Sequence, residues 1–101
     1  MELNDTQKKR LKGMAHALKP VVMIGQHGLK DTVLAELDGA LEHHQLVKIK
    51  ISVGDRDERD GLLAQIMAHA SGAVLIQQIG NMAVLYQRNP QRPNLFSNPA
   101  A

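Results

Sequence analysis

Three groups of residues in this chain have types and spacings that could do chemistry. The first is Gly25-Gln26-His27-Gly28. Paired glycines let a backbone turn tightly and approach a ligand closely. A helical segment follows, so the unpaired N–H groups of its first turn and the positive end of its dipole would face the turn. That arrangement suits an anion, and a G-x-x-G turn of this length clamps the nucleic-acid backbone in KH domains. The same residues also make an ordinary strand-to-helix turn. They form neither a P-loop nor a dinucleotide fingerprint, because G-x-x-x-x-G-K-[ST] and G-x-G-x-x-G are both missing.

The second group is basic. Residues 1–30 carry Lys8, Lys9, Arg10, Lys12, Lys19 and Lys30 against only Glu2 and Asp5. At about 100° per residue on a helix, Lys8, Lys9, Lys12 and His16 share one flank, with Arg10 on the other. A directed basic flank points to an anionic partner; lysines on a solvated helix face are the plainer reading. Lys19 and Lys30 flank the segment that contains the glycine turn, and Lys48 and Lys50 extend the basic surface along a later strand.

The third group comprises the histidines and a run of acids. His16, His27, His43, His44 and His69 include no i, i+4 pair of the kind a helical zinc site uses. His43 and His44 fit the C-terminal turn of a helix, where their charge would favour the dipole. Asp55, Asp57, Glu58 and Asp60 are interspersed with Arg56 and Arg59, the pattern of a self-paired helix start rather than a magnesium or acid–base site. No metal, cofactor, catalytic residue or small-molecule substrate is expected.

The elements that would position these groups follow from pattern. Asn4 and Gln7 form a capping box, and Leu11, Met14, Ala15 and Leu18 make one apolar stripe, predicting a helix over 4–18. Pro20 ends it. Val21 to Ile24 is a short apolar strand, and residues 29–44 carry Val33, Leu34, Leu37 and Leu41 at helical spacing. Leu46 to Val53 alternates, with Val47, Ile49, Ile51 and Val53 on one side and Lys48 and Lys50 on the other. A helix over 58–71, capped by Asp55 or Asp57 and stopped at Gly72, precedes strands 73–79 and 82–87, joined by a Gly80-Asn81 turn of type II′. The order α-β-α-β-α-β-β, with right-handed crossovers, predicts an α/β two-layer sandwich: a mixed four-stranded sheet with the second and third helices on one face. The docking position of the first helix is left open, because the last two strands are apolar on both faces.

Composition bounds the rest. At 101 residues the chain fits one domain, and 44% hydrophobic with 22% charged residues is a globular balance. The absence of cysteine excludes disulfides, thiolate metal sites and cysteine nucleophiles. Tyr86 and Phe96 are the only aromatic residues besides the histidines, which argues against a sheet that stacks bases on aromatic rings. No apolar run approaches the ~20 residues of a membrane helix. Residues 1–6 lack the basic-then-apolar pattern of a secretory leader, so a cytoplasmic protein is expected. Residues 89–101 hold Pro90, Pro93 and Pro99 and are expected to form a mobile tail beyond a domain of residues 1–88.

Taken in order, Leu11-Lys12-Gly13-Met14-Ala15-His16-Ala17-Leu18-Lys19-Pro20-Val21-Val22 and Gly25-Gln26-His27-Gly28-Leu29 resemble the start of the CRM (chloroplast RNA splicing and ribosome maturation) domain. His43-His44-Gln45-Leu46-Val47-Lys48-Ile49-Lys50, Asp55-Arg56, Ile79-Gly80 and Val84-Leu85-Tyr86 continue the resemblance, which covers residues 3–88 and is closest to the stand-alone bacterial, YhbY-like form. It implies a fold similar to the C-terminal domain of initiation factor three. It also implies RNA binding and association with precursors of the large ribosomal subunit. The family's loop maps onto Gly25, Gln26, His27 and Gly28, and its basic surface onto Lys8, Lys9 and Lys12. The middle pair of the loop, Gln26-His27, departs from the family in holding no lysine or arginine, so its grip on phosphate would rest on backbone N–H groups.

The function expected is therefore non-catalytic binding of ribosomal RNA or of pre-ribosomal large-subunit particles. Lys8, Lys9, Lys12, Lys19, Gly25, Gln26, His27, Gly28 and Lys30 would form the site, and no membrane is involved. The alternatives are a protein-interaction module that docks through its sheet or first helix, and a small hydrolase built on the histidines and Asp55-Asp57.

Overall fold

A computed structural model describes residues 3–26 and 28–96. Seven elements run α1 (Asp5–Ala15), β1 (Val22–Ile24), α2 (Asp31–His44), β2 (Leu46–Ile51), α3 (Arg56–His69), β3 (Val74–Ile79) and β4 (Met82–Tyr86). The strands form one mixed sheet in the order β1-β2-β4-β3, with β1 parallel to β2 and β4 antiparallel to both of its neighbours. The predicted elements are all present.

Local chemistry explains most boundaries. The Asn4 side chain accepts from the Gln7 N–H at 2.8 Å while the Gln7 side chain accepts from the Asn4 N–H at 3.0 Å, closing the capping box of α1. Asp55, rather than Asp57, caps α3 by accepting from the Glu58 N–H at 2.9 Å. Gly80 has φ +58° in the β3–β4 turn while Asn81 does not adopt positive φ, the sign pattern of a type II′ turn. α3 stops at His69, capped by Ala70, two residues before the predicted end and without needing Gly72.

The alternation of β2 and β4 builds two cores on opposite faces of the sheet. Val47, Ile49, Ile51, Ala83 and Leu85 pack with Leu37 and Leu41 of α2 and with Leu63 and Ile66 of α3. The intervening residues Leu46, Val84 and Tyr86 pack with Leu11 and Ala15 of α1. The expectation of a two-layer sandwich is therefore corrected: α2 and α3 share one face as predicted, and α1 forms a partial third layer on the other. β3 carries a register shift between Leu75 and Gln77. Val74 and Ile76, two residues apart, both serve the α1 core, and the extra residue then switches the alternation so that Gln77 and Ile79 follow on that same face beside Val84 and Met82.

Of the expected tail, residues 89–96 contact the domain, and residues 97–101 lie outside the described residues. Gln45, 2% exposed, caps α2 with φ +64°, a conformation that costs a non-glycine residue ~1–2 kcal/mol. Its hydrogen bonds offset that cost. The side-chain oxygen accepts from Arg88 Nη1 at 2.8 Å and from the Asn89 N–H at 3.0 Å, and the side-chain amide donates to the Pro93 carbonyl at 2.8 Å. Asn89 donates to the Glu42 carbonyl at 2.8 Å. Beyond this knot, Leu95 and Phe96 pack against the α1 core, with Phe96 edge-on to Tyr86 at 5.8 Å.

Tyr86 is fully buried, and its hydroxyl has no hydrogen-bond partner among the described residues. Burial pushes its pKa above 10.0, against a smaller opposing pull from the Arg88 guanidinium. An unpaired buried hydroxyl costs ~1–3 kcal/mol, so Tyr86→Phe should leave stability unchanged or raised by up to about 2 kcal/mol in urea unfolding at neutral pH. The folded state holds the phenolic proton more tightly than the unfolded chain. This contribution is therefore intact below the unfolded value of 10.0 and is lost as pH rises through the folded value. Tyr86→Phe should remove that alkaline loss. A phenylalanine variant clearly less stable at neutral pH would show that the hydroxyl is usefully bonded.

Candidate nucleic-acid interface

The sheet separates charge. Asp31, Glu36, Asp38 and Glu42 sit in α2, and Asp57, Glu58 and Asp60 sit in α3 with Asp55 as its cap. The four strands contain no acidic residue at all. Lys8, Lys9, Arg10 and Lys12 lie on α1, across the sheet from that acidic layer, and Lys48 and Lys50 occupy the β2 positions that alternate away from the α2–α3 core. A protein of small net charge thus presents one basic and one acidic side, which orients it toward a polyanion.

The glycine turn sits at one end of this sheet. The Gly28 N–H donates to the Gly25 carbonyl at 3.1 Å, and Gly28 has φ +73°, so the G-x-x-G is a closed turn whose last position favours glycine. Gly25 and Gly28 have open space where a Cβ would lie, and Gln26 is exposed. His27 lies outside the described residues. Leu29 packs against the α2–α3 core and ties the turn down, which delays α2 to Asp31 rather than the predicted 29. Lys30 is the N-cap of α2 and makes no side-chain capping bond, unlike Asn4 and Asp55. Asp31 occupies the first turn of α2, where its charge suits the helix dipole, and Lys30 is exposed beside the glycine turn.

Two more loops meet the turn at this end. The Ser52 N–H donates to the Ile24 carbonyl at 2.8 Å, and the Ile51 N–H to the Asn81 carbonyl at 2.7 Å. The G-x-x-G turn, the β2–α3 loop and the Gly80-Asn81 turn therefore form one rim.

On the basic side, Lys12 of α1 and the helix's C-cap, His16, line a groove of about 210 Å³ with Lys48, Gln77, Ile79 and Met82 of the sheet. Lys8 and Lys9 are exposed on the preceding turn of the same helix. Lys19 is different: it is exposed at the start of β1, beside Val21, His44 and Leu46, at the opposite end of that strand from the glycine turn. The structure thus brings Lys12 toward the sheet lysine, places Lys30 beside the turn, and separates Lys19 from it.

Lys12 and His16 share the flank that helical spacing predicts, but their convergence with Lys48 was not readable from sequence. Helical spacing and strand alternation placed each on an outward face, but the pairing depends on how α1 docks. Two other histidines are occupied elsewhere. His69 bonds Asp38 at 2.9 Å between α3 and α2, and His43 contacts Arg92 at 3.2 Å. Among the described residues no group of three or more His, Cys, Asp or Glu could hold a metal ion, and no helix is long and apolar enough to cross a membrane.

This fold and rim define a known class of domain. The CRS1 / YhbY (CRM) domain model matches residues 3–87. The chain is 43% identical over 98 residues to a protein of Pseudomonas aeruginosa named as a probable RNA-binding protein, covering 97% of this chain and 93% of that one. It is 44% identical over 85 residues to an RNA-binding protein of Haemophilus influenzae, covering 84% and 85%. Its fold matches, with a TM-score of 0.73 and 28% identity, the solution structure of a Staphylococcus aureus protein for which RNA binding has been suggested, over 91% of this chain and 95% of that one. The chain belongs to the CRS1/YhbY (CRM) domain family.

Proposed function

We propose that this protein binds RNA without catalysis, associates with precursors of the large ribosomal subunit and assists their assembly. The observation that carries the reading is the separation of charge across the sheet, with the G-x-x-G turn at the rim. Lys8, Lys9 and Lys12 engage phosphates and set the orientation of the domain. Gly25, Gln26, His27 and Gly28 take the backbone through N–H groups, Lys30 adds charge beside them, and Lys19 contributes a contact at the far end of β1. Relatives named for RNA binding support the ligand class. The only aromatic ring on the strands, Tyr86, is fully buried, which favours structured RNA over bases stacked on exposed rings as the principal target. A likeness to the C-terminal domain of initiation factor three and a cytoplasmic location belong to the same proposal.

The test is a titration of precursor large-subunit ribosomal RNA across a salt series. Each phosphate contact contributes roughly 0.7–0.9 to the slope of log affinity against log salt, so a slope near −3 or steeper is expected from the α1 lysines and the turn. A flat response would overturn this reading and favour a protein partner instead.

A further inference from the structure

The groove beside α1 is one end of a row of side chains that runs on across the basic face of the sheet, and none of them is among the phosphate contacts proposed above. The strand registers place Met23 of β1 beside Lys50 of β2, Lys50 beside Met82 of β4, and Met82 beside Ile79 of β3. All four project away from the α2–α3 core, because their neighbours Val22, Ile24, Ile49, Ile51 and Ala83 face into it. Met23 is 67% exposed and Ile79 65%, the two most exposed large apolar residues among those described. At ~4.8 Å between strands the row spans about 14 Å. One end adjoins the glycine turn, two residues after Met23, and the other opens into the groove lined by Lys12, His16 and Lys48.

We infer that this row is a second RNA contact, a platform for a single-stranded segment that runs from the G-x-x-G turn across the sheet toward α1. The inference rests on the RNA-binding reading and deepens it. Exposed apolar side chains on a sheet mark a contact surface, and methionine is a flexible, polarisable one that adapts to flat ring faces. Lysines embedded in the platform select the occupant. Lys50 within the row and Lys48 behind it suit a chain with a phosphate at every step, and no strand supplies an acid to oppose them. A second copy of this face would set lysine against lysine. Base and ribose faces would rest on Met23, Met82 and Ile79 while phosphates meet Lys50 and Lys48. The strand would emerge beside the helix lysines that hold the structured part of the RNA.

The test compares two RNAs, a hairpin with a single-stranded uridine extension and the same hairpin without it. The intact protein should bind the extended hairpin about tenfold tighter. Met23→Ser with Ile79→Ser should erase that difference. It should leave binding of the blunt hairpin and the salt slope unchanged, because no phosphate contact is removed. Lys50→Gln should instead lower the slope for the extended hairpin by about one. Both replaced apolar side chains are largely exposed, so the fold is retained, which circular dichroism would verify. If the double variant binds both hairpins as the intact protein does, the platform is overturned while RNA binding stands. The platform is likewise overturned if the double variant alters only self-association. If the intact protein binds neither hairpin, the RNA-binding reading fails with it.

Discussion

Reversing the charge of α1, with Lys8→Glu, Lys9→Glu and Lys12→Glu together, should weaken binding to precursor ribosomal RNA by about 100-fold or more at moderate salt, taking roughly 1 kcal/mol for each lost phosphate contact. The salt slope should fall by about two to three at the same time, because three phosphate contacts are removed. All three side chains are exposed. Lys8 and Lys9 are near the N-terminal end of α1, where glutamate suits the helix dipole at least as well as lysine does. The buried residues Leu11 and Ala15, which dock the helix, are untouched. Lys12 lies in the last turn, where glutamate opposes the dipole by ~0.3–1 kcal/mol, so the thermal midpoint should fall by no more than about 8 °C. Unchanged affinity with an unchanged slope would remove α1 from the interface.

The second large effect is expected at the turn. Gln26→Asp places a carboxylate among N–H groups that would otherwise face phosphate, and should weaken RNA binding by about tenfold, or roughly 1.4 kcal/mol. Gln26 is exposed and makes no capping or core contact that the substitution would break, so stability should move by no more than about 0.5 kcal/mol. Gly28→Ala tests the backbone separately. At φ +73° an alanine costs ~1–2 kcal/mol although the space for its Cβ is open. The two variants should thus part ways: the first loses affinity at constant stability, and the second loses stability. If Gln26→Asp binds RNA as tightly as the unmodified protein, the G-x-x-G is only a turn.

Much of this architecture was legible because local signals agreed. The capping box at Asn4 and Gln7, the alternation of Leu46 to Ile51, and the glycine-first turn at Gly80 each specify backbone through nearby atoms, and each appears in the fold. The dock of α1 was not legible. Val74, Ile76, Val84 and Tyr86 gave β3 and β4 an apolar second face, but nothing local says what covers it, and the register shift near Ile76 blurred the alternation further. The contacts of the segment after β4 were not legible for a related reason. Its prolines and asparagines look mobile, yet Gln45 reaches across more than forty positions to bind Asn89 and Pro93, a long-range contact that no window of sequence contains.

The candidate site divides the same way. The glycine turn and the lysine flank of α1 are local patterns and could be named from spacing. That Lys12 and His16 share a groove with Lys48, that Lys19 stands at the wrong end of β1 to join the turn, and that Met23 and Ile79 align with Lys50 are consequences of docking and register. Charge order shows both aspects. The acidic run from residue 31 to 60 was visible as composition, but only the placement of α2 and α3 on one face turns it into a charged side of the molecule.

The most direct measurement is sedimentation of cell extract through a sucrose gradient at low salt, with the intact protein and the Lys8, Lys9, Lys12 to glutamate variant detected in parallel. The intact protein should travel with precursors of the large subunit and leave them as salt is raised, while the variant stays at the top of the gradient. An intact protein that remains at the top at low salt, or a variant that travels with the precursors equally well, would contradict the assignment of the basic face to pre-ribosomal RNA.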